Sequence, residues 1–299
     1  MKVLLIIFAF FLNLYSFDFK LKPIKINENS FYFYGKEEYF SKENGGDISN
    51  STFIITKNSV ILIDTGTSVD YANQVKEEIA KITKNPVKYV INTHHHPDHF
   101  LGNKAFDKEL IYATNETREE IKNNGELYVS NMVNLIGKTI YSTRAKAPNK
   151  ELHSSKLVLD GYELDILYFH GHTKSDIAIL DKNTKTLYTS DLIFNKRALA
   201  TPHANLKEWI KSLEAMKKLD FKTLVPGHGK VSLGKDVIDE NINYLKFVDT
   251  TLKNAIDEGL DIFEILAQDI PDEIKNYSMF KEEFERSVIN LYKKYELNY

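Results

Sequence analysis

Apolar residues along this chain follow two periods, and the change from one to the other outlines the fold. Residues 31–34, 53–56 and 60–63 carry the short, β-rich runs of strands, separated by turn-rich stretches such as Glu43-Asn44-Gly45-Gly46. Ala72, Val75, Ile79 and Ile82 then recur at helical spacing until Asn85-Pro86 stops the run. Residues 87–92 return to a strand, and a histidine cluster follows at once. Further on, residues 126–140 predict a helix, and 156–169 a strand pair turning near Asp160-Gly161. Residues 177–180 and 186–189 predict a hairpin closed by Asp181-Lys182-Asn183. Leu206, Trp209, Ile210, Leu213 and Met216 share one helical face, with Asn205 as N-cap and Glu208 three residues later. From Lys235 the strands stop, and Val237 to Ile256 marks a long helix followed by at least two shorter ones. Strands alternating with helices in this way imply an α/β layer fold.

The N-terminus adds a separate signal. Met1 and Lys2 precede an unbroken apolar run over residues 3–12, with Ser16 just before the first acidic residue, Asp18. This order is that of a signal peptide over residues 1–16, and the run is too short for a comfortable membrane span. The expected organisation is therefore a signal, a main domain over 17–234 and a C-terminal helical extension over 235–299 packed on it. The expected location is periplasmic or secreted, with no stable membrane insertion after signal removal.

With 299 residues and 42% apolar content, the chain can bury a large core. Its 39 basic and 42 acidic residues leave a net charge of -3 without a basic stripe, which argues against nucleic acid as a partner. Cysteine is absent, so thiolates are excluded as metal ligands and nucleophiles. A small-molecule substrate is the expected partner; nothing in the sequence speaks to oligomeric state.

The chemistry is concentrated in Thr93-His94-His95-His96-Pro97-Asp98-His99, which follows a strand. Side chains alternate in an extended segment, so His94 and His96 face the same ion, while Asp98 and His99 turn toward a neighbouring one. Pro97 stiffens the bend. An open catalytic site needs three protein ligands, and later loops supply the remainder. His172 lies in Gly171-His172-Thr173, Asp191 after residues 187–190, and His228 in Pro226-Gly227-His228-Gly229. Asp191 can offer one oxygen to each of two ions.

The His94-x-His96-x-Asp98-His99 signature, with His172, Asp191 and His228 downstream, resembles the metallo-β-lactamase superfamily. That resemblance covers the chain after the N-terminal segment and implies an αββα sandwich. It implies His94, His96 and His172 on one zinc, Asp98, His99 and His228 on a second, and Asp191 between them. Asp64, in Ile63-Asp64-Thr65-Gly66, matches an aspartate that supports the histidine loop from behind. Together with Thr201-Pro202-His203-Ala204 and the helical C-terminus, the motifs are similar to the exported quinoprotein relay system zinc metallohydrolases, a SoxH-like branch. The β-lactam-hydrolysing branch carries cysteine where Asp191 stands, which argues against antibiotic hydrolysis as the primary role.

Two zinc ions, with iron or manganese as other possible occupants, imply hydrolysis of a small ester, thioester, lactone or amide by a metal-bound hydroxide, with Asp98 and Asp191 as its orienting, catalytic carboxylates. The alternatives are β-lactamase activity and a redox or sulfur-transfer role on the same scaffold. Among the other histidines, His95 alternates away from the ions, His153 reads as solvated and His170 as a strand-end packing residue. His203 is a second-tier candidate beside the site. Trp209 is expected to anchor its helix in the core.

Overall fold

The computed structural model describes residues 17–297. The expected signal peptide lies outside these residues. Short strands collect into two sheets. The first keeps chain order: β1 (Pro23–Lys25), β2 (Ser30–Phe33), β3 (Ser51–Ile55), β4 (Val60–Ile63), β5 (Val87–Ile91), β6 (Ile111–Ala113) and β7 (Lys150–Glu151). Pairing is antiparallel as far as β4 and parallel from β4 to β7. The second sheet contains β8 (Lys156–Leu159), β9 (Tyr162–Phe169), β10 (Asp176–Asp181), β11 (Thr186–Phe194), β12 (Thr223–His228) and β13 (Ser232–Leu233), with β13 and β8 at its edges.

Alternation sorts the side chains into layers. Ile61 and Ile63 of β4 meet Ile177 and Ile179 of β10 in a core between the sheets. Their neighbours Val60 and Leu62 face outward onto Tyr71, Ala72, Val75 and Ile79 of α1 (Val69–Ile82). Ser68 caps α1 by accepting from the Tyr71 N–H, and extended Thr83 ends it. Along the chain, α1 is followed after β5 by the one-turn α2 (Pro97–Phe100) and, after β6, by the long α3 (Asn115–Ile136), and these two share an apolar cluster. On the far side, Ala178, Leu180 and Leu187 pack against α4 (Leu206–Met216) and α5 (Asp236–Glu258). Asn205 accepts from the Glu208 N–H, the cap expected from the sequence. The result is the αββα sandwich implied by the resemblance.

The chain closes with α6 (Ile262–Leu266), α7 (Asp272–Lys275) and α8 (Phe280–Leu297). Ile242, Leu245 and Val248 of α5 and Val288 and Leu291 of α8 join Trp209 and Leu213 of α4 in one apolar cluster. Residues on both sides of position 234 therefore share a core. Among the described residues, no helix is long and apolar enough to cross a membrane.

Two sequence expectations need correction. Helix α3 begins at Asn115, not 126, with Thr114 as its N-cap. Gly125 sits within it because a methyl group there would stand 2.6 Å from the Ala145 Cβ. Strand β11 runs on to Phe194, so Asp191 lies within an irregular strand whose pairing shifts on both sides of Ser190.

Candidate metal centre

All the sequence-predicted ligands converge at one end of the sandwich. His94 lies at a bend three residues after β5, and His96, in extended backbone, occupies the N-cap of α2 with Pro97 inside its first turn. This change of backbone separates the ligand pairs, because Asp98 and His99 already ride on helix. His172 comes from the loop between β9 and β10, and His228 is the last residue of β12. Gly171, at φ +131°, holds the His172 loop against α4, where an added methyl would lie 2.2 Å from the Trp209 Cα. Only glycine fits there.

The donor atoms form two groups, His94, His96, His172 and Asp191 in one and Asp98, His99 and His228 in the other, each within 4.8 Å. Asp191 stands between them. Its Oδ1 lies 3.0 Å from His99 Nε2, and its Oδ2 lies 3.3 Å from His172 Nε2, 3.7 Å from His94 Nε2 and 3.3 Å from His228 Nε2. His228 Nε2 and His99 Nε2 are each 3.5 Å from Asp98 Oδ2. His94 Nε2, His99 Nε2 and Asp191 Oδ1 are buried without a partner in hydrogen-bonding geometry. A buried polar atom left alone costs about 1–3 kcal/mol, so three in one place fit residues built around cations.

The outer nitrogens of these rings are tied down. Asp64 Oδ2 contacts His99 Nδ1 at 2.8 Å and accepts from Thr93 Oγ1 and Ser190 Oγ, while Oδ1 accepts from the Thr93 N–H. Asp64 and Ser190 are both non-glycine residues at positive φ, +59° and +44°, and their side chains meet. Such backbone costs on the order of 1–3 kcal/mol per residue and persists where surrounding contacts dictate it. His228 Nδ1 donates to the Ile48 carbonyl at 2.7 Å, leaving Nε2 free to bind a metal. His96 presents Nδ1 toward His172 and Nε2 toward His203 Nδ1, each at 2.8 Å. Asn50 links the two sheets here, donating from Nδ2 to the Pro226 and Gly229 carbonyls. Ser49 Oγ donates to the Asp98 carbonyl.

Electrostatics follow from burial and proximity. Burial, reinforced by neighbouring imidazoles, holds His94 and His96 well below the usual histidine range. They are therefore neutral, as ligands must be. For His99, burial opposes charge, but Asp191, Asp98 and Asp64 outweigh it and raise its proton affinity. For Asp191, burial disfavours the carboxylate, and the neighbouring His99 and His228 rings override this and lower its pKa. The same concentration of negative charge favours a bound cation.

The remaining histidines divide as expected in part. His153 is exposed as expected; His170 is exposed as well rather than packed at the strand end, its Nδ1 donating to the Lys174 carbonyl. His95 points away from the two donor groups toward Tyr128 and His203, and burial lowers it to about 4. It nevertheless forms a secondary cluster with His96 and His203. Trp209 is fully buried and donates to the Leu192 carbonyl, with its ring centroid 4.9 Å from that of His172.

Beside Asp98, Asp191 and His228 opens a cavity of about 260 Å³. Tyr39, Phe40, Tyr128, Met132 and Leu135 supply much of its wall, joined by Arg197, Glu283 and Arg286. The sequence reading missed these residues. They lie far apart along the chain and share no motif.

An αββα sandwich with this histidine and aspartate centre defines a metal-dependent hydrolase. The chain belongs to the metallo-beta-lactamase superfamily, whose family model matches residues 44–228. It is 30% identical over 200 residues to a probable metallo-hydrolase of Methanocaldococcus jannaschii, covering 64% of this chain and 92% of that protein. It is 20% identical over 282 residues to a linear primary-alkylsulfatase of a Pseudomonas species, covering 79% of this chain. The match spans 53% of the alkylsulfatase's length. A solved metallo-beta-lactamase from Pontibacter korlensis superposes with a TM-score of 0.63 at 20% identity, covering 76% of this chain and 99% of that one.

Proposed function

We propose that this chain is an exported dinuclear zinc hydrolase acting on a small ester, thioester, lactone or amide. The observation that carries the proposal is the position of Asp191, one carboxylate facing both donor groups. In this reading His94, His96 and His172 hold one ion, Asp98, His99 and His228 the other, and Asp191 joins them. Seven nitrogen and oxygen donors without sulfur suit zinc; imidazoles accept iron as well, whereas manganese prefers a set richer in carboxylates. When bound, the ions supply Lewis acidity and a nucleophilic water at neutral pH.

The protein's own part is positioning. Asp64 and the Ile48 carbonyl fix the ring orientation of His99 and His228, so their Nε2 atoms need not reorganise during reaction. Asp98 and Asp191 accept hydrogen bonds from the attacking water and orient it. Hydrolysis then breaks the acyl C–O, C–S or C–N bond, the water's oxygen joins the acyl carbon, and its proton goes to the leaving atom. The apolar cavity wall excludes competing water from the substrate's body.

Metal analysis of the purified protein, followed by a screen of esters, thioesters, lactones and β-lactams, tests this proposal. Two zinc ions per chain and turnover of an acyl substrate are expected. A zinc-loaded protein inert toward every acyl class would reject it.

A further inference from the structure

Glu283 is almost completely buried on α8 and is held from both sides. Its Oε1 lies 3.3 Å from Arg197 Nη2, and its Oε2 accepts from Arg286 Nη1 at 2.8 Å. The three side chains all line the cavity that also contains Asp98, Asp191 and His228. Two guanidinium charges against one carboxylate leave a net positive charge at this wall. Arg197 is fixed, being 2% exposed, within reach of the Glu38 carbonyl and beside the Phe194 ring. Arg286 is different. Its side chain is 34% exposed, and its guanidinium carbon lies 5.3 Å from the Tyr39 ring centroid. An arginine carries five N–H donors, and the bond to Glu283 uses only part of that fork.

Phe40, Tyr128, Met132 and Leu135 line the same cavity and give it apolar surface. A ligand filling it would lay an apolar segment there while its two ends met the metal centre and Arg286. We infer that the substrate is an anionic amphiphile, with an apolar segment joining the bond to be cleaved to a carboxylate or similar oxyanion recognised by Arg286. This deepens the hydrolase proposal and rests on it for the cleaved bond, but not for the anion contact. Charge-assisted bonds from a planar fork to an oxyanion are stronger than neutral ones, which makes Arg286 a specificity residue.

Matched ester pairs test the inference on the zinc-loaded protein: mono-para-nitrophenyl adipate and suberate against the same esters capped as methyl esters. The anionic member is expected to have the higher kcat/KM, and Arg286→Gln is expected to lower the anionic-to-neutral ratio about tenfold. Arg286→Lys should restore part of it. An unchanged ratio in Arg286→Gln, or a preference of the unaltered protein for the capped esters, overturns the inference while leaving the hydrolase proposal standing. Calorimetric binding of octanesulfonate against octanol provides the activity-independent readout. Loss of sulfonate affinity in Arg286→Gln without ester turnover in either protein supports anion recognition and rejects the hydrolase proposal instead. Full sulfonate affinity in Arg286→Gln, with the anion held by metal alone, overturns the inference.

Discussion

Gly227 lies so close to Asp191 that a methyl group on its α-carbon would stand 2.0 Å from Asp191 Oδ1. The other nearby atoms are backbone of Ser190 and Asp191, which cannot swing away. The glycine of Pro226-Gly227-His228-Gly229 therefore lets the end of β12 that carries His228 pass against the central carboxylate. Gly227→Ala is expected to lower metal content toward one ion per chain or fewer, measured by elemental analysis after dialysis. Two retained ions with unchanged affinity would show that strand β12 can shift to make room.

Asp64 belongs to neither donor group, yet His99 depends on it for orientation. Asp64→Asn should weaken metal binding by about 10- to 100-fold. The one amide oxygen can replace only one of the two carboxylate oxygens, so either the Thr93 N–H or the Thr93 and Ser190 hydroxyls lose their acceptor, and a lowered Tm should accompany the loss of metal. Competition with a chelator of known affinity measures the loss, and equal affinity in both proteins would remove Asp64 from the site's support.

Asp47 offers a test of stability against pH that avoids the metal ligands. Burial raises its pKa from 3.8 to about 7, with Lys36 pulling it down and Glu38 adding to the rise. Because the folded value exceeds the unfolded one, folding favours the protonated acid. The destabilisation is absent below the unfolded value of 3.8, grows as pH rises from there to about 7, and is complete above it. Asp47→Asn should therefore gain stability over the unaltered chain across that interval, by a few kcal/mol at its upper end. Paired urea titrations from acidic to mildly alkaline pH check this, and a constant difference would count against it.

The shared core predicts the behaviour of a shortened chain. Removing residues 235–299 uncovers Leu213 and Leu224 and takes Ile242, Leu245 and Val248 from their cluster. Each large apolar group lost from such a site costs about 2–5 kcal/mol, so the shortened chain should lack a cooperative thermal transition. Recovery of a sharp transition by calorimetry would make residues 235–299 a true appendage. Leu245→Ala in the full chain provides the milder comparison, with a lowered Tm and unchanged metal content.

The ligands were legible in the sequence because a strand end followed by a proline-started helix leaves a recognisable trace in His94 to His99. The layers were legible where alternation spans whole strands, as in β4 and β10. What escaped has physical reasons. The sequence reading starts this helix at 126, and only the neighbouring Ala145 explains a glycine within α3. The bulge at Ser190 depends on Asp64, which lies 126 positions away. Edge strands as short as β7 and β13 carry too few residues to show a period. The cavity wall joins Tyr39 to Arg286 only through tertiary packing, so no local pattern announces it.

The contact between Trp209 and His172 gives the molecule an optical reporter. Trp209 is the single tryptophan in the chain, so its emission comes from one place. Its ring stands edge-on to an imidazole of the first donor group, sealed from solvent and fixed by its bond to the Leu192 carbonyl. A cation arriving at His172 changes the charge and electron demand of that imidazole within 4.9 Å of the indole. Filling of the first position should thus be readable as a change in intrinsic fluorescence, without a dye or a substrate. Filling of the second, at Asp98, His99 and His228, should leave a weaker trace, so stepwise loading can be followed by the light of one side chain.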